Sequence, residues 1–158
     1  MSEKLLPFST IIIFTTMRPK LLKRSLRYYA QYNGSVIIAD GSVEPYPGTI
    51  PANTLYLHLP KMSVAKRINH ALNYSKTKYS IFSSDDDFLS FKGLEVGEQF
   101  LENNKDYSSV QGCYINFDSK FPNLLYGPMY THFLNHDNNA DIVKHRFKEA
   151  FFVNHIYS

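Results

Sequence analysis

The chain has 158 residues, 44% of them hydrophobic, and a formal net charge of +3 at pH 7. This is enough for one domain with a buried core, and the small charge argues against nucleic acid as the main partner. The single cysteine, Cys113, excludes an internal disulfide and suits a reducing compartment. The N-terminus lacks a signal-peptide core, and the apolar run at 11–14 is shorter than the roughly 20 residues that span a bilayer. We therefore expect a cytoplasmic protein, with attachment to a membrane face left open.

Strands and helices alternate along the first 117 residues. Apolar and β-branched runs at 10–16 and 35–39 predict strands buried in a parallel sheet, and the alternation of Leu55, Leu57 and Leu59 with polar or aromatic neighbours predicts a third strand. Apolar residues three and four apart predict the helices, with Leu22, Leu26 and Tyr29 forming the apolar side of the first one. In chain order, we predict strands at 10–16, 35–39, 53–59, 79–84 and 109–117, and helices at 20–32, 63–75 and 93–103.

Local signals define some of these boundaries. The pair at 33–34, Asn-Gly, predicts a left-handed cap at the end of the first helix. Ser63 is a predicted N-cap of the second helix, whose apolar face would comprise Val64, Ile68, Ala71 and Leu72. The segment 118–139 has no clear period, and it is followed by a predicted helix at 141–150 and a strand at 151–157. The alternation predicts a single α/β domain with a doubly wound sheet.

Acidic residues follow two of the predicted strands. Asp85, Asp86 and Asp87 end the strand at 79–84, and Asp40 with Gly41 ends the strand at 35–39. Hard divalent cations prefer such oxygen ligands and often share them with a substrate phosphate. Ligands of open parallel sheets bind beyond the carboxyl ends of the strands. These residues together predict a metal-diphosphate site in one crevice, and the alternative for each acidic segment is a solvated turn.

Other carboxylate chemistries fit the sequence less well. A haloacid-dehalogenase-type phosphatase and a response-regulator receiver both need acidic residues after the first strand, which here ends in Thr-Thr-Met-Arg at 15–18. A dinucleotide-binding fold needs a glycine-rich turn at the same place, and a P-loop is also absent. A glycosidase pair of carboxylates is not excluded, but the sequence gives no way to place two of them across a sugar ring.

The ordered motifs resemble those of GT-A glycosyltransferases and are most similar to glycosyltransferase family 2 and its relatives. The motifs are the segments 10–19, 36–42, 66–69 and 79–88, and the resemblance covers about residues 9–117. It implies a GT-A (Rossmann-like), mostly parallel sheet that binds a nucleotide-diphosphate sugar donor. It also implies inverting transfer of the sugar to the hydroxyl of a saccharide or other acceptor, with Mn²⁺ or Mg²⁺ as cofactor.

The resemblance also implies roles for individual residues. Asp85 and Asp87 would serve the metal and the sugar diphosphate, with Asp86 directed towards the sugar. A basic group on the second helix would meet phosphate, although for Lys66 we favour a solvated helix face. The residues that would contact the nucleoside or flank the donor are Thr15, Thr16, Arg18, Asp40, Arg67 and Asn69.

The acceptor half, at 118–158, is expected to be short for this family. The transfer needs a carboxylate within hydrogen-bond reach of the acceptor hydroxyl, and Asp137 and Asp141 are the candidate bases. His132 and His136 have a metal-ligand spacing but no third ligand at motif spacing, which favours a polar loop. An alternative is a catalytically silent or truncated nucleotide-sugar-binding module that requires a partner. A nucleotidyltransferase is less favoured, because residues 15–20 lack its glycines.

Overall fold

A computed structural model describes residues 9–112, 114–118, 121–129 and 155–157 of the chain. They fall into two compact units, one formed by residues up to 110 together with 156–157, and the other by residues between 111 and 155. No helix within these described ranges is long and apolar enough to cross a membrane. The strand ends that carry the predicted donor-site residues all lie in the first unit.

Up to residue 111 the described elements alternate between strand and helix, except that the strands at 35–40 and 54–58 follow each other without a helix. In chain order they are β1 (Ser9–Thr15), α1 (Pro19–Tyr29), β2 (Ser35–Asp40), β3 (Thr54–His58), α2 (Val64–Leu72), β4 (Tyr79–Ser84), α3 (Phe91–Asn103), β5 (Ser109–Gln111), β6 (Tyr114–Asp118), β7 (Phe121–Met129) and β8 (His155–Tyr157). The predicted α/β class is confirmed: four parallel strands, of which β1, β2 and β4 are mostly buried, are flanked by helices.

The larger sheet has the strand order β3-β2-β1-β4-β8-β5. β1 lies parallel to β2 and β4, β2 lies parallel to β3, and β8 lies antiparallel to β4. The chain thus moves outward from β1 to β3 and then returns to form β4 on the other side of β1. In open parallel sheets, ligands bind at such a reversal, beyond the carboxyl ends of the strands. The topology therefore predicts a ligand crevice between the ends of β1 and β4.

β1 forms the centre of the core, and helices cover both of its faces. Ile11 and Ile13 pack in one cluster with Leu22 of α1, and Ile12 packs on the opposite face with Ala71 of α2. The three isoleucines are completely buried, and each such side chain contributes about 1.5–3 kcal/mol of stabilisation relative to exposure. This apolar centre gives the polar strand ends a rigid base.

The helices differ from the sequence prediction in their ends and buried faces. α1 ends at Tyr29 with Ala30 as a right-handed C-cap, so the left-handed cap predicted at 33–34 is wrong. Ser63 does cap α2, since its side chain accepts a hydrogen bond from the Lys66 amide. The buried residues of α2 are Arg67 and Ala71, whereas Val64 of the predicted apolar face is 43% exposed. The buried face of α2 therefore includes Arg67, which the apolar period did not place on that face.

The strand predicted at 109–117 is two strands in different sheets. β5 belongs to the larger sheet, and after Gly112 the chain forms β6, which pairs antiparallel with β7 in the second unit. β7 was not predicted because it contains two prolines, which sheets tolerate mainly on edge strands, and both strands of a two-stranded sheet are edges. The predicted helix at 141–150 lies outside the described residues, and of the strand predicted at 151–157 only β8 is described.

Candidate functional site

Three neighbouring strand ends place polar side chains in one row. Thr15 is paired with Asp40 across β1 and β2, and Phe14 is paired with Ser84 across β1 and β4, so Asp85 follows beside Thr15. The Thr15 hydroxyl donates a 2.5 Å hydrogen bond to Oδ2 of Asp85. The ends of β1 and β4 are therefore linked directly at the crevice that the topology creates.

Backbone and guanidinium contacts join the ends of β1 and β2. The carbonyl oxygen of Thr15 accepts hydrogen bonds from the Gly41 amide at 3.0 Å and from Nη1 of Arg67 at 2.5 Å. The same Nη1 donates to the Ala39 carbonyl at 3.1 Å. Burial lowers the pKa of the Arg67 guanidinium, and the charge of Asp40 opposes that shift. The Arg67 guanidinium thus bridges the carboxyl ends of β1 and β2.

Gly41 is required by this arrangement. A Cβ at position 41 would lie 2.4 Å from Nη1 of Arg67 and 2.5 Å from its Cζ, well inside van der Waals contact. Because the guanidinium is buried and hydrogen-bonded to two carbonyls, it has little room to move away. The Asp-Gly pair at the end of β2 therefore serves the close approach of an arginine, rather than a backbone conformation that only glycine can adopt.

Asp40 is buried beneath the crevice, with only 1% of its surface exposed. Its Oδ1 accepts a 2.8 Å hydrogen bond from the Ser42 amide, and its Oδ2 accepts a 2.6 Å hydrogen bond from the Tyr56 hydroxyl. Burial and this hydrogen bond raise the pKa of Tyr56 to about 12. Both carboxylate oxygens therefore hold the turn after β2, and contact of Asp40 with a nucleoside stays a prediction.

The three consecutive aspartates occupy three different environments. Asp85 is completely buried, the Asp86 side chain is 47% exposed, and Asp87 is half-buried. The Ser84 hydroxyl donates to a carboxylate oxygen of Asp86 and lies 3.4 Å from Oδ2 of Asp87. Asp86 and Asp87 are consequently the members of the triplet that a ligand in the crevice can reach without rearrangement.

The pKa values of Asp85 and Asp86 are shifted in opposite directions. Burial raises the pKa of Asp85, although the Thr15 hydroxyl and the charge of Arg18 work against it. For Asp86, burial also acts to raise the pKa, but hydrogen bonds from Ser84 and the charge of Arg18 outweigh it and the pKa is lowered. Asp86 is thus the member of this pair that most readily carries a negative charge.

Residues at the start of α1 hold the acidic turn in place. Arg18, the N-cap residue, forms ion pairs with Oδ1 of Asp85 and, at 3.1 Å, with Oδ2 of Asp86. Arg24 donates a 3.2 Å hydrogen bond to the Asp86 carbonyl, and its guanidinium lies 4.9 Å from the ring centroid of Phe88. Two arginines from one helix therefore contact the turn that follows β4.

The segment between β1 and α1 is strained. Met17 has a φ of +56°, a conformation that costs a residue other than glycine about 1–2 kcal/mol. Its amide donates a 2.8 Å hydrogen bond to Oγ of Ser42, which holds the conformation, and its side chain is 64% exposed. Thr16 is exposed beside it, with its hydroxyl hydrogen-bonded to the Thr15 carbonyl. The strained turn presents Thr16 and Met17 at the edge of the crevice.

The structure brings most of the predicted donor-site residues together. Asn69 is the exception: it is exposed and lies two residues, or about 200° of helical rotation, from buried Arg67. The candidate bases Asp137 and Asp141 lie outside the described residues. The predicted donor-site residues that hydrogen bonds and ion pairs hold at the strand ends are Thr15, Thr16, Arg18, Asp40, Arg67, Asp85, Asp86 and Asp87.

Tyr56 and Arg24 were not predicted to serve this site. Tyr56 on β3 is paired with Ile38 of β2, and Ile38 lies two residues before Asp40 on the same face of that strand. The proximity of Tyr56 to Asp40 can therefore be recognised only once the strand pairing is known. Arg24 lies outside the apolar side predicted for α1. The sequence offered one indication of this role. Arg24 lies six residues after Arg18, a spacing that allows both arginines to contact one segment packed against the start of α1.

The residues at this site fit a resident metal ion poorly. Oδ2 of Asp85 accepts the hydrogen bond from the Thr15 hydroxyl, and Oδ1, which accepts no hydrogen bond, is ion-paired with the Arg18 guanidinium, so a metal on Asp85 would compete with both partners. Within the described part of the chain, no three or more His, Cys, Asp and Glu side chains are grouped to hold an ion. Binding of Mn²⁺ or Mg²⁺ by Asp85 and Asp87 therefore stays a prediction.

A groove of about 720 Å³ lies beside the crevice, between α1 and the loop after β2. Its α1 wall begins at Pro19, next to Arg18, and carries Lys20, Lys23 and Arg27. Tyr46 and prolines of the loop form the opposite wall. The groove belongs to the first unit, and the predicted donor-site residues do not line it.

Comparisons with known proteins found similarity in structure but not in sequence. No family model and no curated protein matches the chain. Two crystal structures of S. aureus TarS, one of them of residues 1–349, are each 17% identical to the chain over 61% of its length, with a TM-score of 0.48. The chain spans 33% of the length of the 1–349 structure and 20% of the other.

Proposed function

We propose that the chain is a glycosyltransferase that binds a nucleotide-diphosphate sugar at the carboxyl ends of β1, β2 and β4. The sugar would pass by direct displacement, with inversion, to the hydroxyl of a saccharide or other acceptor. The observation that supports this most is the position of Thr15, Arg18, Asp85 and Asp86 at the reversal point of the sheet, where ligands of such folds bind. The order of these motifs along the chain matches the family resemblance.

The geometry favours a division between residues that touch the donor and residues that support them. Thr16, Arg18, Asp86 and Asp87 reach the crevice and are proposed to contact the nucleotide and the sugar. Asp40, Arg67 and Asp85 are buried, and are proposed to fix the positions of the three strand ends beneath the donor. Asp137 and Asp141 remain the proposed bases for the acceptor hydroxyl.

Binding of the donor can be measured by isothermal titration with UDP, GDP, CDP and dTDP and their sugar conjugates. We expect one of these nucleotide series to bind the chain. The double variant Asp86→Asn, Asp87→Asn should weaken binding of that series' sugar conjugate by about tenfold or more, since hydrogen bonds to charged groups are lost. Asp106→Asn is a matched control, because this exposed carboxylate follows the thirteen-residue α3 and lies away from the crevice. Equal binding by all variants would contradict the proposed site.

Transfer can then be separated from binding. Incubation of the chain with the sugar nucleotide that it binds should produce free nucleoside diphosphate. Production should be slow when water accepts the sugar and faster when a suitable hydroxyl acceptor is present. Tight donor binding without any release, with or without acceptors, would instead indicate the nucleotide-sugar-binding module that requires a partner. Absence of binding to every nucleotide tested would contradict both functions.

A further inference from the structure

We propose that Arg18 provides the positive charge that this site offers to a donor diphosphate, and that nucleoside-diphosphate binding consequently needs no divalent cation. This inference rests on the proposed function, because it concerns how the same site holds its donor. It departs from the predicted Mn²⁺ or Mg²⁺ requirement. Its basis is the position of the Arg18 guanidinium between Asp85 and Asp86.

Arg18 already takes the place that a bridging cation would have. One terminal nitrogen pairs with Oδ1 of Asp85, and the other lies 3.1 Å from Oδ2 of Asp86. The two carboxylates are thus joined through one guanidinium, as two ligands are joined through a metal ion. Because the group is covalently part of the chain, it is present whether or not metal is in solution.

The burial of Asp85 makes this arrangement difficult to replace. The side chain is completely enclosed, with Thr15 on one oxygen and Arg18 on the other. Removing the partner of a buried charge leaves that charge uncompensated, which proteins tolerate poorly. A cation that bound Asp85 would have to displace the Arg18 guanidinium and replace its ion pairs with Asp85 and Asp86. We therefore expect metal and Arg18 to compete for the triplet.

Arg18 also has the geometry to bind phosphate while it pairs with the aspartates. Its side chain is 40% exposed, so a ligand at the strand ends can reach it. A guanidinium carries five N–H donors in a planar fork that suits carboxylate and phosphate oxygens together. Arg24, which contacts the Asp86 carbonyl, adds a second positive charge to the same turn. The local charge is therefore balanced largely by arginines.

The most direct test measures binding of Mn²⁺ alone, without nucleotide, by electron paramagnetic resonance. We expect wild-type protein to bind Mn²⁺ with a Kd of about 1 mM or weaker, and Arg18→Gln to bind about tenfold more tightly or better, since carboxylate ligands are released. Arg18→Lys should stay close to wild type because it keeps the charge. Arg27→Gln removes a charge from the exposed side of the same helix and should change nothing. Circular dichroism verifies that each variant is folded.

Tight Mn²⁺ binding by wild type that Arg18→Gln does not improve would overturn the inference. A second arm measures nucleoside-diphosphate binding in EDTA and in Mn²⁺. Equal affinity in the two buffers, with a loss of about tenfold or more in Arg18→Gln, would support it. Binding only in Mn²⁺ would overturn it while leaving the proposed function intact. Lack of binding in both buffers would contradict the proposed function, and this inference with it.

Discussion

The hydroxyl of Tyr56 is expected to be a main support of the turn after β2. It donates a 2.6 Å hydrogen bond to the buried carboxylate of Asp40 and accepts a 2.7 Å hydrogen bond from the amide of Tyr46. Tyr56→Phe removes the hydroxyl and keeps the ring. The change leaves Oδ2 of Asp40 without this donor and the Tyr46 amide without this acceptor, so its cost comes from polar groups that lose partners.

The magnitude follows from the two contacts. A hydrogen bond to a charged group contributes about 1.5–3 kcal/mol and a neutral one about 0.5–1.5 kcal/mol, so Tyr56→Phe should lower the free energy of unfolding by about 2–4 kcal/mol. Whole domains are stable by only about 5–15 kcal/mol, so a loss of this size is readily measured. The same variant should also weaken donor binding, because the turn it loosens carries Ser42, which holds the Met17 amide at the crevice.

Urea unfolding at pH 7, followed by circular dichroism, measures this cost. Tyr74→Phe is a matched control, since Tyr74 is 45% exposed and its ring contact with His70 would remain. The control should change the free energy of unfolding by less than about 0.5 kcal/mol, as is usual for surface substitutions. A loss for Tyr56→Phe that is no larger than the control's would refute the supporting role of its hydroxyl.

Two further predictions concern Gly41 and the buried tyrosine Tyr29. Gly41→Ala should lower the free energy of unfolding by about 1–3 kcal/mol, because its Cβ would clash with the Arg67 guanidinium, and by less than about 0.5 kcal/mol in an Arg67→Ala background. Equal costs in the two backgrounds, measured by urea unfolding, would contradict the clash. The free energy of unfolding should also fall as pH rises from 10 to 12. Burial raises the pKa of Tyr29 to about 12, so in this range the folded protein keeps a proton that the unfolded chain loses near the ordinary pKa of 10. Tyr29→Phe should flatten this part of the stability profile, and an unchanged slope would argue against the shift.

The parallel strands could be predicted because their signals are local. Buried strands of a parallel sheet are nearly continuous apolar runs, and β1, β2 and β4 each match the predicted range to within one residue at either end. The acidic ends of β2 and β4 could be predicted for the same reason, since the residue after a strand's apolar run lies at the sheet edge. Parallel pairing with β1 then brings them together.

The contacts that connect these strand ends could not be predicted, because they depend on pairing and on helix rotation. The apolar period of α2 favoured a face that includes Val64, yet the helix is rotated to bury Arg67, whose guanidinium satisfies two backbone carbonyls. A lone arginine in an amphipathic pattern gives no sign of such carbonyls. The pairing of Arg18 with Asp85 spans 67 positions of the sequence and likewise becomes visible only in the fold.

The proposal that the ends of β1, β2 and β4 form the donor site can be tested most directly by nuclear magnetic resonance. Titration of ¹⁵N-labelled protein with each sugar nucleotide, in EDTA and in Mg²⁺, would map the amides that the donor affects. We predict saturable shifts at Thr16, Arg18, Ser42, Asp86 and Asp87 for one nucleotide series. Shifts confined to Lys23, Arg27 and Tyr46 in the neighbouring groove, or no saturable shifts with any sugar nucleotide, would contradict the proposal.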